Sequence, residues 1–177
     1  FAGLSMGGFV GLRLAIRQPE LLNSLILLDT TAEPEPEQNK GPYRKLAFIG
    51  RWLGFRPVIE KFMNIMFSQS FLNNPEKTKV REAWRRHLLG LERKGTSRAA
   101  HGVIDRKGVY EQLERVNTPT LIIVGDEDVS TVPEQSKRMH AAISGSILVR
   151  IPRAGHSSSI EEPRAVTAAM DKFFQNL

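Results

Sequence analysis

Gly3-Leu4-Ser5-Met6-Gly7, followed directly by a second glycine at Gly8, fits G-x-S-x-G. This is the sharp strand-to-helix turn that lifts a serine hydroxyl above a parallel sheet. If it is that turn, Phe1 to Leu4 is the end of a strand, and Met6 to about Gln18 is the helix that follows. Ser5 would also serve as the N-cap of that helix, so the turn alone does not assign chemistry to it. Only four residues precede Ser5, and the chain has no initiator Met. Both facts lead us to expect that strands which ordinarily come before such a turn lie outside this sequence.

Downstream, short apolar runs alternate with helical periodicity. Ser24 to Thr31, SLILLDTT, and the run TLIIVGDED with Pro119 before it and Gly125 near its end read as buried parallel strands. SILVRIP, from Ser146 to Pro152, is a third. Helical patterns occupy Glu134 to Ile143 and about Glu162 to Gln175, with the loop RAGHSSS between SILVRIP and the closing helix. Strand and helix in alternation predict an α/β fold with a parallel sheet. We divide the chain into a first core segment, 1–32, a helical lid, 33–108, and a second core segment, 109–177.

The lid opens with AEPEPEQNKGP, whose Pro, Glu and Gly content predicts an irregular linker. Three or four helices are expected after it. One runs from Pro57 to about Phe71, and another starts at Asn74 as N-cap with Pro75 in its first turn and a stripe of Val80, Trp84, Leu88 and Leu91. The lid is more apolar than a surface excursion needs to be. Trp52, Phe62, Met66 and Phe67 are its candidate substrate-binding side chains, although the same residues could form the lid's own core.

Composition narrows the function classes. The chain has 177 residues, 41% of them hydrophobic, enough for a globular domain with a core. The net charge of +6 is concentrated between Glu33 and Lys107, where Lys and Arg are about twice as frequent as Asp and Glu. They alternate with Glu in helical patterns, as on a solvated face, and no nucleic-acid motif accompanies them. No apolar run approaches the roughly 20 residues that span a bilayer, and no export signal is visible, so the expected location is cytoplasmic. There are no cysteines, and no metal-ligand spacing or cofactor motif is present.

A serine nucleophile needs a base and a group to orient that base. His156, in Ala154-Gly155-His156-Ser157, follows the last strand and is the best placed of the four histidines; His87 and His101 lie in the lid and His140 on a helix of the core. For the acid, Asp128 in Gly125-Asp126-Glu127-Asp128 competes with Asp126, Glu127 and Asp29. The chain order Ser, Asp, His is the one found in α/β-hydrolases.

GLSMGGFVGLRLA, LILLDTT, TPTLIIVGDEDVSTVP and IPRAGHSSSIEEP together resemble the C-terminal portion of an α/β-hydrolase, in the branch of carboxylesterases, enol-lactonases and cofactor-free haloperoxidases. The resemblance covers essentially the whole chain. It implies a Ser5-His156-Asp128 triad, with Asp128 matching the family's G-x-x-D pattern, and the backbone N–H of Met6 as one oxyanion donor. It also implies hydrolysis of a small ester, lactone or related acyl compound through an acyl-enzyme, with no cofactor. The second oxyanion donor would come from an early loop outside this sequence. A homodimer or a complementing N-terminal chain is expected to cover the open sheet edge. The alternative is a truncated, weakly active or non-catalytic protein on the same fold.

Overall fold

The computed structural model describes residues 1–177. It contains β1 (Ala2–Leu4), α1 (Met6–Arg17), β2 (Leu25–Leu28), α2 (Glu37–Trp52), α3 (Ile59–Met66), α4 (Gln69–Leu72), α5 (Thr78–Leu89), α6 (Arg93–Ile104), β3 (Thr120–Gly125), α7 (Pro133–Ala142), β4 (Ile147–Ile151), α8 (Ser158–Glu161) and α9 (Pro163–Phe174). The strands form one sheet in the order β1-β2-β3-β4, every pair parallel. Side chains alternate across it, as the two-residue period of a strand requires. Leu25, Leu27 and Ile122 face Leu12, Ile16 and Met139 on one side, while Ile26, Leu28, Leu121 and Ile123 face Val166 and Phe173 on the other. Both faces of β2 and β3 are therefore buried, which explains their unbroken apolar sequences.

Because all four strands run the same way, their C-terminal ends lie at one edge, where parallel sheets place ligand sites. Close backbone packing there depends on glycine. A Cβ on Gly3 would lie 2.4 Å from the Gly7 carbonyl carbon, and one on Gly125 would lie 2.3 Å from the carbonyl oxygens of Ala154 and Gly155.

The segment between β2 and β3 is helical, and two local expectations for it are corrected. The predicted linker is irregular only up to Pro36, since α2 begins at Glu37 and continues through Pro42. A proline inside a helix costs about 3 kcal/mol. Leu46, Ala47 and Gly50 on the buried face of this 16-residue helix offset that cost. The helix expected from Pro57 to Phe71 is in fact broken. Phe67 is extended, at φ −134° and ψ 147°, and Ser68 starts α4 by accepting the Phe71 N–H at 3.0 Å. A buried ion pair, Arg106 to Glu35 at 2.7 Å, joins the end of the insertion to its beginning. No helix is long and apolar enough to cross a membrane.

Candidate functional site

Three of the four strand exits carry non-glycine residues with positive φ: Ser5 at 50°, Asp29 at 45° and Arg153 at 61°. Such backbone strain persists only where surrounding contacts hold it. At Ser5 those contacts are the Ser5 N–H donating to the Leu28 carbonyl at 2.9 Å and the Thr30 hydroxyl donating to the Ser5 carbonyl at 2.8 Å. Ser5 makes no side-chain cap bond to α1. Its Oγ instead lies 2.8 Å from His156 Nε2, and His156 Nδ1 lies 2.9 Å from Asp128 Oδ2. Residues 151 positions apart in the chain thus form one hydrogen-bonded row.

Asp128 is fixed from several directions. Its Oδ1 accepts the Ser130 and Thr131 N–H groups at 2.8 and 2.9 Å, and its Oδ2 accepts the Thr131 hydroxyl at 2.7 Å. Of its competitors for the acid position, Asp126 pairs with Arg150 and Glu127 bonds Ser70. Asp29 is fully buried but points elsewhere. It accepts the Gly125 N–H at 2.9 Å and both the N–H and hydroxyl of Ser158, at 3.1 and 2.6 Å. That arrangement ties the ends of β2 and β3 to the segment that follows His156.

The electrostatics follow from burial and from these partners. Burial is the largest influence on His156 and disfavours the imidazolium. The hydrogen bond and charge of Asp128, with Asp29 and Glu161 behind, outweigh it and raise the histidine above its ordinary value. Burial pushes the Asp29 carboxyl up to about 6, partly opposed by its bond from Ser158. Met6 is the first residue of α1, so its N–H has no helical acceptor and is free beside Ser5.

An apolar cavity of about 190 Å³ opens on Ser5 and His156. Of the lid residues singled out in the sequence, Phe62 and Met66 line it. Trp52 and Phe67 do not. Trp52 is 62% exposed, because it shares with Phe48 the face of α2 opposite Leu46 and Ala47. Phe67 is buried within the insertion, stacked on Phe71 with ring centroids 5.0 Å apart and packed in the cluster of Ile59 and Met63. The cavity also takes Tyr43, Ile65, Val103 and Ser130, which sequence reasoning missed. Ile65 was accessible from its helical spacing to Phe62, whereas Tyr43 was hidden by the misread linker. Nowhere do three or more His, Cys, Asp or Glu side chains gather in a way that could hold a metal ion.

A parallel sheet that delivers a serine, an aspartate and a histidine to one edge in this chain order defines the α/β-hydrolase class of fold. The chain belongs to the alpha/beta hydrolase family, whose model matches residues 1–169. It is 28% identical to a pimeloyl-[acyl-carrier protein] methyl ester esterase of Neisseria meningitidis serogroup C, over 99% of this chain and 69% of that protein. It is also 28% identical to 3-oxoadipate enol-lactonase 2 of Acinetobacter baylyi, over 97% of this chain and 61% of that one. Among solved structures, a thermophilic esterase from Thermogutta terrifontis superposes with a TM-score of 0.89 at 32% identity, covering 99% of this chain and 64% of the esterase. The chain thus spans between 61% and 69% of the length of these relatives.

Proposed function

We propose that the protein is a serine hydrolase of small ester or lactone substrates, working through an acyl-enzyme on Ser5. The observation that carries this reading is the hydrogen-bonded row from Ser5 through His156 to Asp128. His156 Nε2 takes the Ser5 proton as Oγ attacks the substrate carbonyl carbon, and the carbonyl oxygen becomes an oxyanion facing the Met6 N–H. The imidazolium then gives its proton to the departing alkoxide, leaving acyl-Ser5 and an alcohol. Water, deprotonated by His156, attacks the acyl carbon and releases the acid, and the proton returns to Ser5. Asp128 holds the Nδ1–H, fixing the tautomer and stabilising the imidazolium.

The size and apolar lining of the cavity support a small acyl group, held against Phe62 and Met66. The esterase and enol-lactonase relatives support an ester or lactone as the reacting bond. The outer edge of β1 has no strand paired to it, and the reading has a strand from outside these residues, of the same polypeptide, a second copy or a separate chain, cover it. Ser5→Ala is expected to lower hydrolysis of a p-nitrophenyl ester by about three orders of magnitude or more while the fold is kept. Hydrolysis at the original rate in that variant would transfer the chemistry to another group.

A further inference from the structure

A carboxylate outside the Ser5-His156-Asp128 row grips the main chain on both sides of His156. Glu161, fully buried at the end of α8, accepts the Gly155 N–H at 2.9 Å and the Ser157 N–H at 3.2 Å, both through Oε1. Its other oxygen, Oε2, accepts the N–H of Ser68 at 2.9 Å and the Ser68 hydroxyl at 2.5 Å. Ser68 belongs to the insertion, at the break between α3 and α4. Four donors thus surround this carboxylate. The Lys77 ammonium goes instead to the main-chain carbonyl of Glu161 at 2.6 Å. Burying a carboxylate is costly unless its oxygens are satisfied, and here half of the satisfaction comes from Ser68, 93 residues away from Glu161 in the chain.

The packing is tight at the same place. A Cβ on Gly155 would lie 2.6 Å from the Ser68 nitrogen, so the insertion rests directly on the histidine loop. The aspartate loop is braced in parallel, because Glu127 accepts the Ser70 N–H at 3.1 Å and donates its own N–H to the Ala154 carbonyl at 2.8 Å. Residues 68–70 of the insertion therefore hold both loops.

We propose that Glu161 is a positioning residue for His156, clamping the amides that flank it to Ser68, so that turnover depends on the insertion being seated and not only on the substrate filling it. The inference rests on the reading of Ser5 and His156 given above. The imidazole must meet Ser5 and Asp128 at once, and displacement by about 1 Å can cost around a hundredfold in rate. In Glu161→Gln, one end of the side chain presents an NH₂ group to N–H donors that need an acceptor. Ser68→Ala removes the hydroxyl donor to Glu161, together with its bonds to the Arg153 carbonyl and the Phe71 N–H, and leaves the grip on Gly155 and Ser157.

The test combines steady-state kinetics on p-nitrophenyl acetate with the proton NMR resonance of the His156 Nδ1–H, which lies far downfield when bonded to a carboxylate. Glu161→Gln is expected to lower kcat by about tenfold to a hundredfold with KM changed by less than about twofold, and to broaden or shift that resonance. Ser68→Ala should move both in the same direction by less, and it decides the matter if Glu161→Gln does not fold. An unchanged kcat and an unchanged His156 resonance would overturn the proposal, as would a change confined to KM. Failure of the underlying reading would look different: hydrolysis would survive Ser5→Ala, while the His156 resonance would still report whether Glu161 holds the loop.

Discussion

Ser5 and Asp29 both sit in strained backbone at strand exits, and what each holds separates the proposed chemistry from its support. Ser5 turns its hydroxyl to His156, whereas Asp29 turns inward to Gly125 and Ser158. Asp128→Asn is therefore expected to lower kcat more than Asp29→Asn, and the reverse ranking would move the acid to the end of β2. The raised pKa of His156 bears on pH dependence. Only the neutral imidazole can accept the serine proton, so kcat/KM should fall on the acid side with a midpoint above about 6.5, the ordinary histidine value. Asp128→Asn should shift that midpoint downward, and a pH–rate profile of both proteins checks it. Ser5, Asp128 and His156 could be picked out because each stands in a short motif at the end of an apolar run. Glu161 and Asp29 were illegible as supports, since their donors are backbone amides and serines that carry no sequence pattern.

At the scale of the elements, the strands were readable because burial on both faces leaves runs such as Leu25–Leu28 and residues 121–125 without polar interruption. The insertion was not, because its elements answer to tertiary packing rather than to local preference. Pro42 is carried within α2 by the packing of Leu46 and Ala47, and the apolar stretch around Phe67 breaks where Ser68 finds partners in α4 and α8. The same packing sorts the aromatic residues. Phe62→Ala should raise KM for an apolar acyl ester by about tenfold, through loss of buried contact in the cavity, while Trp52→Ala changes it by less than about twofold. Phe67→Ala belongs with neither. It is expected to lower stability by about 3–5 kcal/mol, measured by urea unfolding, because it empties the core of the insertion.

For the molecule as a whole, one sheet direction explains why distant residues meet. Parallel strands bring every exit to one edge, so loops after β1, β3 and β4 supply the serine, the aspartate and the histidine, and the insertion after β2 covers them with an apolar cavity. The alternation of strands and helices made this architecture legible from sequence. How the insertion folds over the edge was not legible, since its contacts join residues far apart in the chain. The central claim, that Ser5 is an activated nucleophile, is tested most directly by treating the purified protein with a fluorophosphonate and measuring its intact mass. The account predicts a single adduct that maps to Ser5 and disappears in Ser5→Ala. A folded protein that takes no label, or takes it at another residue, would contradict it.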